Sequence, residues 1–514
     1  MTGRKFACLC VLAAAAAAAQ TAPRSLTLEA LRDKIRGGWA GQMIGVSYGA
    51  PTEFRWREEI IPEDRLPAWK PEMVSNALNQ DDLYVDMTLA KVLDDKGLDA
   101  ATEDFGAMFR ESKYALWHAN LAARRALRRG VPAHLSGTPR HNVHANDIDF
   151  QIEADFIGLM TPGLPRLAAD IGLRAGRVMN AGDGILGGVF VSCMYAAAFF
   201  ENDPRRVVEA GLACLPQKSP YAKLISDVLA WHRRFPADWT KNWAEIEKKW
   251  NRREPCPAGA LRPFNIDAKI NGAYIALGLL YGGGDMTRTI RISTQAGQDS
   301  DCNPSSAAGI LGVMMGWEKI PDEWKGGIPA IADRKFAYTD FNFHEIVEST
   351  YQRALKAVAR EGGKVTDKEI RVPAQKPRPV NVPLWDDYGS PAERIPYSDA
   401  RWRFAGRWEQ DERLRSRVSE EKGATADIEF EGTGFIVVGP YLPDGGFVEV
   451  WVDGKRANTV DVCSDEKSAK GDESVYHQFG LARGRHRIQL KVLGVRHEDS
   501  AGARVAVHDL VVFR

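Results

Sequence analysis

The hydrophobic periodicity of the chain changes near residue 370, and this change restricts the fold more than any other feature of the sequence. From Leu28 to about Ala357 apolar residues recur at helical spacing, as in Leu28, Leu31 and Ile35. From Ile428 onward short apolar runs alternate with polar residues, as they do in strands with one buried face. The sequence therefore predicts a multidomain α and β protein, in which an all-α domain is followed by an antiparallel β-sandwich.

Many of the predicted helices are rich in Gly and Ala, as in GGWAGQMIG (residues 37–45) and AAGILGVMMG (residues 307–316). Small side chains allow two helices, or a helix and a ligand, to approach closely. Thr27 is the predicted N-cap of the first helix, because it directly precedes the first periodic apolar residue. We expect these Gly/Ala-rich segments to be helices buried in the core.

Prolines separate the two patterns and predict a stiff, partly extended connector. They occur at positions 373, 377, 379, 383, 391 and 396, where the ring blocks helix formation. We therefore expect a helical domain over residues 26–357, a linker over 358–398 and a β-sandwich over 399–514. Within the sandwich, Asp453-Gly454 lies between two alternating runs and predicts a tight hairpin turn.

Aromatic residues of the predicted sandwich are candidates for stacking on sugar rings, as in carbohydrate-binding modules: Trp402, Trp408, Tyr441, Trp451 and Tyr476. Alternating strands also bury aromatic side chains in their core. The sequence leaves both interpretations, carbohydrate binding and core packing, open.

The first twenty residues have the pattern of a secretory signal peptide. Arg4 and Lys5 precede an apolar run that ends in alanines before Gln20. We expect a secreted or periplasmic protein, with a lipoprotein as the alternative. No later segment offers eighteen uncharged apolar residues, so we expect no membrane span.

The balance of charges argues against a nucleic-acid partner. The sequence has 68 Lys and Arg residues and 68 Asp and Glu residues, whereas nucleic-acid binding requires a basic surface. The densest cationic group has the spacing of the solvated face and C-terminal end of a helix: Arg124, Arg125, Arg128 and Arg129. The cysteines that follow the signal peptide are scattered and predict neither a zinc site nor a disulfide framework.

Two acidic stretches, NQDDLYVDM (residues 79–87) and QAGQDSDCNP (residues 295–304), each precede an apolar helical run. In the second, Asn303 is the predicted N-cap and Pro304 the first helical residue, so two aspartates remain unexplained by capping. An EF-hand is excluded because Pro304 stands where the calcium loop needs glycine. The pattern favours another hard-cation site, with Mg²⁺ as the first choice and Mn²⁺ or Ca²⁺ as alternatives.

Four motifs occur in an order and spacing that resemble the ADP-ribosylglycohydrolase family: Gly41–Glu53, Gln80-Asp81-Asp82, Gly182-Asp183-Gly184 and Gly297–Cys302. The resemblance covers about residues 27–330 and none of the β domain. It implies an all-α fold with a binuclear Mg²⁺ or Mn²⁺ centre that cleaves glycosidic bonds to ribose.

The resemblance also implies roles for individual residues. Glu53 and Asp299 match catalytic positions, and Gly182, Asp183 and Gly184 match a substrate-binding loop. Metal ligation is implied for six residues: Gln80, Asp81, Asp82, Asp299, Asp301 and Cys302. Gln80 replaces a Thr ligand, Cys302 replaces a Thr or Ser ligand, and Gln42 stands where the family usually has Asp, so the site is expected to hold one or two ions.

Substrate preference is indicated by Asp183, which stands where the family usually has Asn. A charged Asp183 would repel a diphosphate, whereas it would accept hydrogen bonds from the hydroxyls of a neutral sugar. Nearby, Asp149 and Glu153 share a face of a predicted amphipathic helix over residues 146–156, which is either a surface helix or a wall with sugar-binding carboxylates. Neighbouring histidines lack metal-ligand spacing and are expected to have at most a binding role: His118, His134, His141 and His144.

The interpretation that fits these features best is a secreted, metal-dependent glycoside hydrolase acting on a small-molecule or oligosaccharide substrate. One alternative is a true ADP-ribosyl hydrolase. The other is a catalytically silent protein that binds sugar and metal.

Overall fold

The computed structural model describes residues 23–251, 255–385, 389–466 and 468–514. The signal peptide predicted for residues 1–20 lies outside these residues. A helical N-terminal domain is followed by antiparallel sheets, which confirms the predicted fold class. Among the described helices, none combines the length and apolar composition that a membrane crossing requires.

The helical domain carries its α-helices in the following order: α1 (Leu28–Gly49), α2 (Asp81–Lys96), α3 (Thr102–Glu111), α4 (His118–Arg128), α5 (Ala133–Ser136), α6 (Asp149–Ile152), α7 (Asp155–Leu159), α8 (Pro165–Gly176), α9 (Gly182–Ala198), α10 (Pro204–Leu212), α11 (Pro220–Arg234), α12 (Trp239–Trp250), α13 (Ala268–Gly282), α14 (Met286–Gln295), α15 (Cys302–Met315), α16 (Asp322–Lys325) and α17 (Phe343–Arg360). Short 3-10 turns lie at Ala50–Thr52, Glu63–Arg65, Pro71–Asn79, Trp317–Lys319 and Ile328–Ala330. Thr27 caps α1 as predicted, since its Oγ1 accepts from the amide of Ala30 at 3.0 Å.

Helices α1 and α15 pack backbone to backbone, and glycines in α1 make this approach possible. A Cβ atom at Gly41, Gly45 or Gly49 would lie less than 3.0 Å from backbone atoms of residues 300–309. Only glycine leaves room for such backbone contact. The end of α1 is therefore fixed against the turn that begins α15, and both helices are buried as predicted.

The strands are β1 (Arg24–Thr27), β2 (Lys364–Val365), β3 (Glu369–Val372), β4 (Pro391–Pro396), β5 (Arg403–Ala405), β6 (Glu409–Asp411), β7 (Ser416–Ser419), β8 (Thr425–Gly432), β9 (Gly434–Tyr441), β10 (Gly446–Val452), β11 (Lys455–Asp461), β12 (Lys470–Gln478), β13 (Gly484–Arg496), β14 (Val505–Val507) and β15 (Asp509–Phe513). The segment 358–398, predicted to be an extended linker, contains β2, β3 and β4. Strand β3 pairs with β1 and β2, and β4 pairs with β15. The connector is thus tied to both domains.

Two sheets of the β domain share one core, in the strand orders β11-β10-β13-β8-β5 and β12-β9-β15-β4. A smaller sheet has the order β14-β7-β6. The predicted hairpin joins β10 to β11, and both turn residues, Asp453 and Gly454, have positive φ as a type I′ turn requires. Trp402 and Tyr441 are buried, so for these two residues the packing interpretation holds.

The arginine group of α4 joins the two domains. The prediction of a solvated helix face and C-terminal end holds for Arg128 and Arg129, which are exposed, and was wrong for Arg124 and Arg125, which are buried. Arg125 donates to the carbonyl of Cys463 at 2.7 Å, to Asp465 at 2.6 Å and to the carbonyl of Asp461 at 2.9 Å. Because a planar guanidinium can satisfy several acceptors at once, it fixes the β domain against α4.

Candidate active site

Two loop segments that belong to different motifs are held side by side by backbone hydrogen bonds. The amide of Phe54 donates to the carbonyl of Gln298, and the amide of Gln298 donates to the carbonyl of Trp56, both at 2.9 Å. Phe54 and Gln298 have φ angles of 50° and 54°, which residues other than glycine rarely adopt outside strained functional sites. The pairing places Glu53 close to the aspartates that follow Gln298.

Helix α2 begins at Asp81 beside the start of α15, so the two acidic turns meet in the fold. The Sγ atom of Cys302, the first residue of α15, donates to Oδ2 of Asp82 at 3.3 Å. Asp299 and Asp301 lie in the turn before α15, and burial together with the charge of Asp301 raises the pKa of Asp299. The term acidic cluster is used below for Glu53, Asp81, Asp82, Asp299 and Asp301.

The start of α15 differs from the sequence prediction. The helix begins at Cys302, and Asn303 lies inside its first turn. The Nδ2 atom of Asn303 donates to Oδ1 of Asn271 in α13 at 3.0 Å. Asn303 therefore links two buried helices and does not cap its own helix, because a tertiary partner competes with the local backbone for its side chain.

The acidic cluster is crowded and largely removed from water. Burial, followed by the neighbouring carboxylates, raises the pKa values of Asp82 and Asp299 well above the usual range. Desolvation and the charges of Asp301 and Asp81 raise the pKa of Glu53 to about 8. Glu53 is nevertheless exposed by surface area at the edge of the cluster, so solvent weakens these effects there. Such carboxylates repel one another unless a cation or protons compensate their charge.

Unpaired oxygen atoms indicate that the cluster suits a divalent cation. The Oδ1 atoms of Asp82 and Asp299 are buried and accept no hydrogen bond from any described residue. Buried carboxylate oxygens without donors are costly, and they are the ligands that Mg²⁺, Mn²⁺ and Ca²⁺ prefer. The residues that would hold the cation are Asp81, Asp82, Asp299 and Asp301.

Cys302 and Gln80 lie beside these carboxylates, but their metal ligation remains a prediction. Burial and then the charges of Asp299 and Asp301 raise the pKa of the Cys302 thiol well above its usual value. A protonated thiol donates a hydrogen bond, as Cys302 does, and is a poor ligand for Mg²⁺. Gln80 directly precedes α2, where its carbonyl accepts from the amides of Leu83 and Tyr84.

A second layer of buried carboxylates, Asp86 and Asp155, was missed by the sequence analysis. Oδ2 of Asp86 accepts from Nε2 of Gln42 at 3.1 Å and from the amide of Phe156 at 3.2 Å. Ser306 donates to Asp155 at 3.3 Å. Asp86 follows Asp82 by four residues within an apolar helix, so the helical period itself would have placed it behind the cluster. No local pattern marks Asp155.

The predicted substrate loop opens α9 at Gly182 and lies in a different environment. Oδ2 of Asp183 is 3.4 Å from Nζ of Lys269, and Oδ1 accepts from the amide of Tyr221 at 3.4 Å. Asp183 lines a cavity of about 430 Å³ together with Lys269 and Trp385. Nζ of Lys269 also pairs with Asp267, so one cation faces two carboxylates, and the preference for a neutral sugar over a diphosphate stays a prediction.

Residues 146–156 do not form the predicted amphipathic surface helix. The chain makes two short helices, α6 and α7, and both Asp149 and Glu153 are buried. Asp149 accepts from the amides of Ala119 at 3.3 Å and Asn120 at 2.9 Å, so it caps α4 and is already occupied. Glu153 accepts from the Asn120 side chain, and its Oε2 has no donor among the described residues.

A histidine pair continues the wall of the site away from Glu53. The ring of Phe264 lies 4.7 Å from that of Phe54 and is stacked 5.7 Å from the ring of His118. His144 lies in a turn, as expected, and is buried with Nδ1 2.7 Å from Asp147. His118 Nδ1 lies 3.8 Å from the same carboxylate. No sequence spacing predicts that His118, His144 and Asp147 lie close together, so only the fold reveals this group.

Known proteins resemble parts of this chain. An N-acetyl-alpha-D-galactosamine deacetylase for A-type blood, from Flavonifractor plautii, is 32% identical over 144 residues, which are 26% of this chain and 17% of that protein. The chain thus spans about a sixth of the length of this curated relative. Among solved structures, an ADP-ribosylglycohydrolase-related protein complex aligns with 64% of this chain and 99% of its own, at 17% identity and a TM-score of 0.39. A two-domain esterase active on acetylated mannans, crystallised with mannopentaose, covers 38% of this chain and 54% of its own, at 13% identity and a TM-score of 0.23.

The helical domain matches the model of a known protein family. The model of ADP-ribosylglycohydrolase matches residues 27–359, a range that contains the acidic cluster, the Gly-rich helix α1 and the loop at Gly182. Because this match spans well over half of the sequence, the chain belongs to the ADP-ribosylglycohydrolase family, whose members are hydrolases and are commonly metal-dependent.

Proposed function

We propose that this chain is a secreted, metal-dependent glycoside hydrolase that cleaves an N- or O-glycosidic bond of a ribose-like or other sugar. The observation that carries the proposal is the convergence of carboxylates from two distant turns, with the unpaired buried oxygens of Asp82 and Asp299 between them. Glu53, on a third segment, lies at the exposed edge of this cluster. A cation site with an accessible carboxylate beside it is the arrangement that metal-assisted hydrolysis requires.

Each group has a defined task in the proposed reaction. Asp81, Asp82, Asp299 and Asp301 hold the cation, which supplies positive charge that polarises sugar oxygens near the reacting carbon. Glu53 orients a water molecule and accepts its proton while the water oxygen bonds to the anomeric carbon. The bond to the leaving group breaks at the same carbon, and the leaving group takes a proton from solvent. Proton transfer to a positioned carboxylate commonly contributes about 10²- to 10⁴-fold in rate.

The test is a panel of aryl glycosides assayed with and without divalent metal. We expect EDTA to abolish turnover and Mg²⁺, Mn²⁺ or Ca²⁺ to restore it. Asp299→Ala should remove activity, and Glu53→Gln should lower kcat about 10²-fold or more while the protein still binds metal. Asp322→Ala, which removes an exposed carboxylate outside the cluster, is the matched control. Full activity in EDTA, or in Asp299→Ala, would refute the proposal.

Two rival outcomes of this panel are informative. Release of ADP-ribose from a modified protein, without cleavage of simpler glycosides, would identify a true ADP-ribosyl hydrolase. It would also show that Lys269, which contacts both Asp183 and Asp267, attracts the diphosphate more than the two carboxylates repel it. Metal-dependent sugar binding without turnover across the panel would identify a silent binding protein. Export is part of the same proposal, and N-terminal sequencing of the extracellular or periplasmic protein should show a mature chain that begins near residue 21.

A second candidate reaction is hydrolysis of an N-acetyl group on a sugar. The relative from Flavonifractor plautii is an N-acetyl-alpha-D-galactosamine deacetylase, and the similarity covers 26% of this chain. A cation that polarises a carbonyl oxygen can direct water to an amide as well as to an anomeric carbon. Measuring both acetate and free sugar released from an aryl N-acetylgalactosaminide separates the two reactions. Acetate without aryl alcohol would replace the glycosidase assignment.

A further inference from the structure

Trp117 and Tyr338 are the most exposed aromatic residues in the described part of the chain. Their exposed fractions are 46% and 58%, whereas every other described Phe, Tyr and Trp is buried or only half-exposed. Single exposed apolar residues are common on protein surfaces, so what distinguishes these two rings is their position near the acidic cluster. Both residues connect to the acidic cluster through chains of ring contacts.

The first chain of contacts leads from Asp81 to Tyr338. Tyr84 lies one helical turn after Asp81 on α2, so the two side chains share a face. The ring of Tyr338 stands edge-on to that of Tyr84, with centroids 5.2 Å apart and planes at 73°. Tyr338 also contacts the ring of Tyr114 at 5.8 Å. The backbone at Tyr338 has a φ of 59°, a strained conformation that the surrounding packing must hold.

The second chain of contacts leads from Glu53 to Trp117. Phe54, next to Glu53, packs against Phe264, which stacks on His118. Trp117 directly precedes His118. One face of the Trp117 ring is covered by Nζ of Lys470 from strand β12, at 4.3 Å from the centroid. The β domain therefore orients this ring through a cation–π contact.

A cavity of about 820 Å³ begins at Tyr338 and runs between the two domains. A volume of this size accommodates a ligand larger than a monosaccharide. Its charged side chains largely compensate one another, since Arg125 and Arg128 both pair with Asp465 at 2.6 and 3.0 Å. Lys113 and Arg129 add positive charge to the wall, and Asp461, Glu466 and Asp499 add negative charge, so four cationic side chains face four acidic ones. A polyphosphate would find little net attraction here, whereas a chain of neutral hydroxyl groups would find both donors and acceptors.

We propose that Trp117 and Tyr338 are subsites for a neutral glycan chain that extends from the acidic cluster along the boundary between the domains. The apolar faces of sugar rings pack on aromatic side chains, while their hydroxyls bond to the charged pairs of the cavity wall. The inference rests on the proposed function, because it takes the acidic cluster as the hydrolytic site. It makes the substrate an oligosaccharide and gives the β domain a direct part in binding it, through Lys470 and Asp465.

The experiment compares substrates of increasing length. Neutral oligosaccharides of two to six residues, carrying the terminal sugar accepted in the aryl glycoside panel, are assayed beside the corresponding aryl monoglycoside. We expect kcat/KM to rise with chain length in the wild-type protein. Trp117→Ala and Tyr338→Ala should each lose about 10-fold in kcat/KM on the longest substrate and leave the monoglycoside unaffected. Trp117→Phe should retain most of the gain, and Val365→Ala, an exposed apolar residue on strand β2, should match wild type.

Three results would overturn the inference while leaving the proposed function intact: no dependence of kcat/KM on length, equal losses on short and long substrates, or weakened ADP-ribose binding in Tyr338→Ala with unchanged glycan cleavage. If no glycoside is cleaved, titration calorimetry with the same oligosaccharides on the wild-type protein decides separately. Length-dependent binding that weakens in Trp117→Ala supports the subsites. Absence of binding at every length, or self-association of the protein that is lost in Trp117→Ala, refutes them.

Discussion

Substituting Gly297 with alanine should disturb the acidic cluster without changing any of its side chains. Gly297 has a φ of 81°, and a Cβ atom there would lie 2.8 Å from the carbonyl oxygen of Glu59 and 2.9 Å from that of Trp56. Because ordinary contact begins at 3.4 Å, the loop that leads to Asp299 would have to move by about 0.6 Å. Positive φ costs alanine about 1–2 kcal/mol, and overpacking against the backbone adds about 1–3 kcal/mol.

Three readouts follow from this displacement. The free energy of unfolding, measured in urea, should fall by about 2–5 kcal/mol. The affinity for Mg²⁺ or Mn²⁺, measured by titration calorimetry, should fall about 10- to 100-fold, as it does when groups that orient metal ligands are disturbed. Turnover at saturating metal should also fall, because a carboxylate displaced by a fraction of an ångström no longer matches the reacting geometry.

Two other glycines provide matched controls. Gly97 has φ and ψ of 84° and 175°, a region that essentially only glycine adopts, with no atom within 4 Å of a Cβ, so Gly97→Ala should show only a backbone cost of about 1–3 kcal/mol. Gly172 lies in α8, where the nearest atom to a Cβ is Cγ2 of Val189 at 3.4 Å, and Gly172→Ala should be neutral or slightly stabilising. If Gly297→Ala loses no more stability than Gly97→Ala and keeps full metal affinity, this loop does not position the aspartates and the reasoning fails.

Three further outcomes are expected. Asp82→Asn removes one of several crowded negative charges, so thermal scans should show a higher Tm for the metal-free protein than in the wild type. The rise in Tm that Mg²⁺ gives the wild type should be absent in this variant, and an unchanged rise would show that Asp82 does not belong to the cation site. Arg125→Ala leaves the buried carbonyl of Cys463 without its donor and removes one of two donors from Asp465 and from the carbonyl of Asp461, so it should lower the free energy of unfolding by about 1–3 kcal/mol. Arg129→Ala, which breaks one exposed bond, should cost less, and equal losses would contradict the interface role. Burial lowers the pKa of His144, but Asp147 and Glu473 outweigh it and raise the pKa to about 10. The charged ring therefore stabilises the fold fully below its unfolded pKa of about 6.5, and this contribution is lost as pH rises toward 10. Denaturation curves should show stability falling by up to about 1.4 kcal/mol per pH unit in that window, and a similar slope in His144→Gln would disprove the assignment.

Features that depend on neighbours in sequence were predictable. The Thr27 cap, the start of α2 at Asp81 and the turn at Asp453-Gly454 each follow from the chemistry of a few adjacent residues. The close approach of α1 to α15 was also predictable, because glycine at four-residue intervals leaves one face of α1 without side chains. In each of these cases local propensity and the final packing favour the same conformation.

Features that depend on distant partners were not predictable in this way. Arg125 has the spacing of a solvated helix face, but its guanidinium finds acceptors more than three hundred residues away. Asp149 looks like a helix-surface residue, yet it caps α4 from another segment. Asn303 has the sequence position of an N-cap, but its side chain donates a hydrogen bond to Asn271 instead. A polar side chain takes whichever buried partner the fold provides, because leaving that partner unpaired would cost more than losing a local bond.

Stability and cation binding are linked in the acidic cluster. Burying Asp82, Asp299 and the second layer at Asp86 leaves oxygens without donors, which disfavours the folded state unless charge is compensated. The glycine contacts between α1 and α15 act in the opposite direction, since that packing fixes the turn before α15 whether or not the aspartates repel each other. A cation that binds only the folded chain adds RT ln(1 + [M]/Kd) to its stability. The repulsion between the buried carboxylates weakens the metal-free protein, and a bound cation relieves it. Because packing already holds these carboxylates together, they are positioned for ligation before the cation binds.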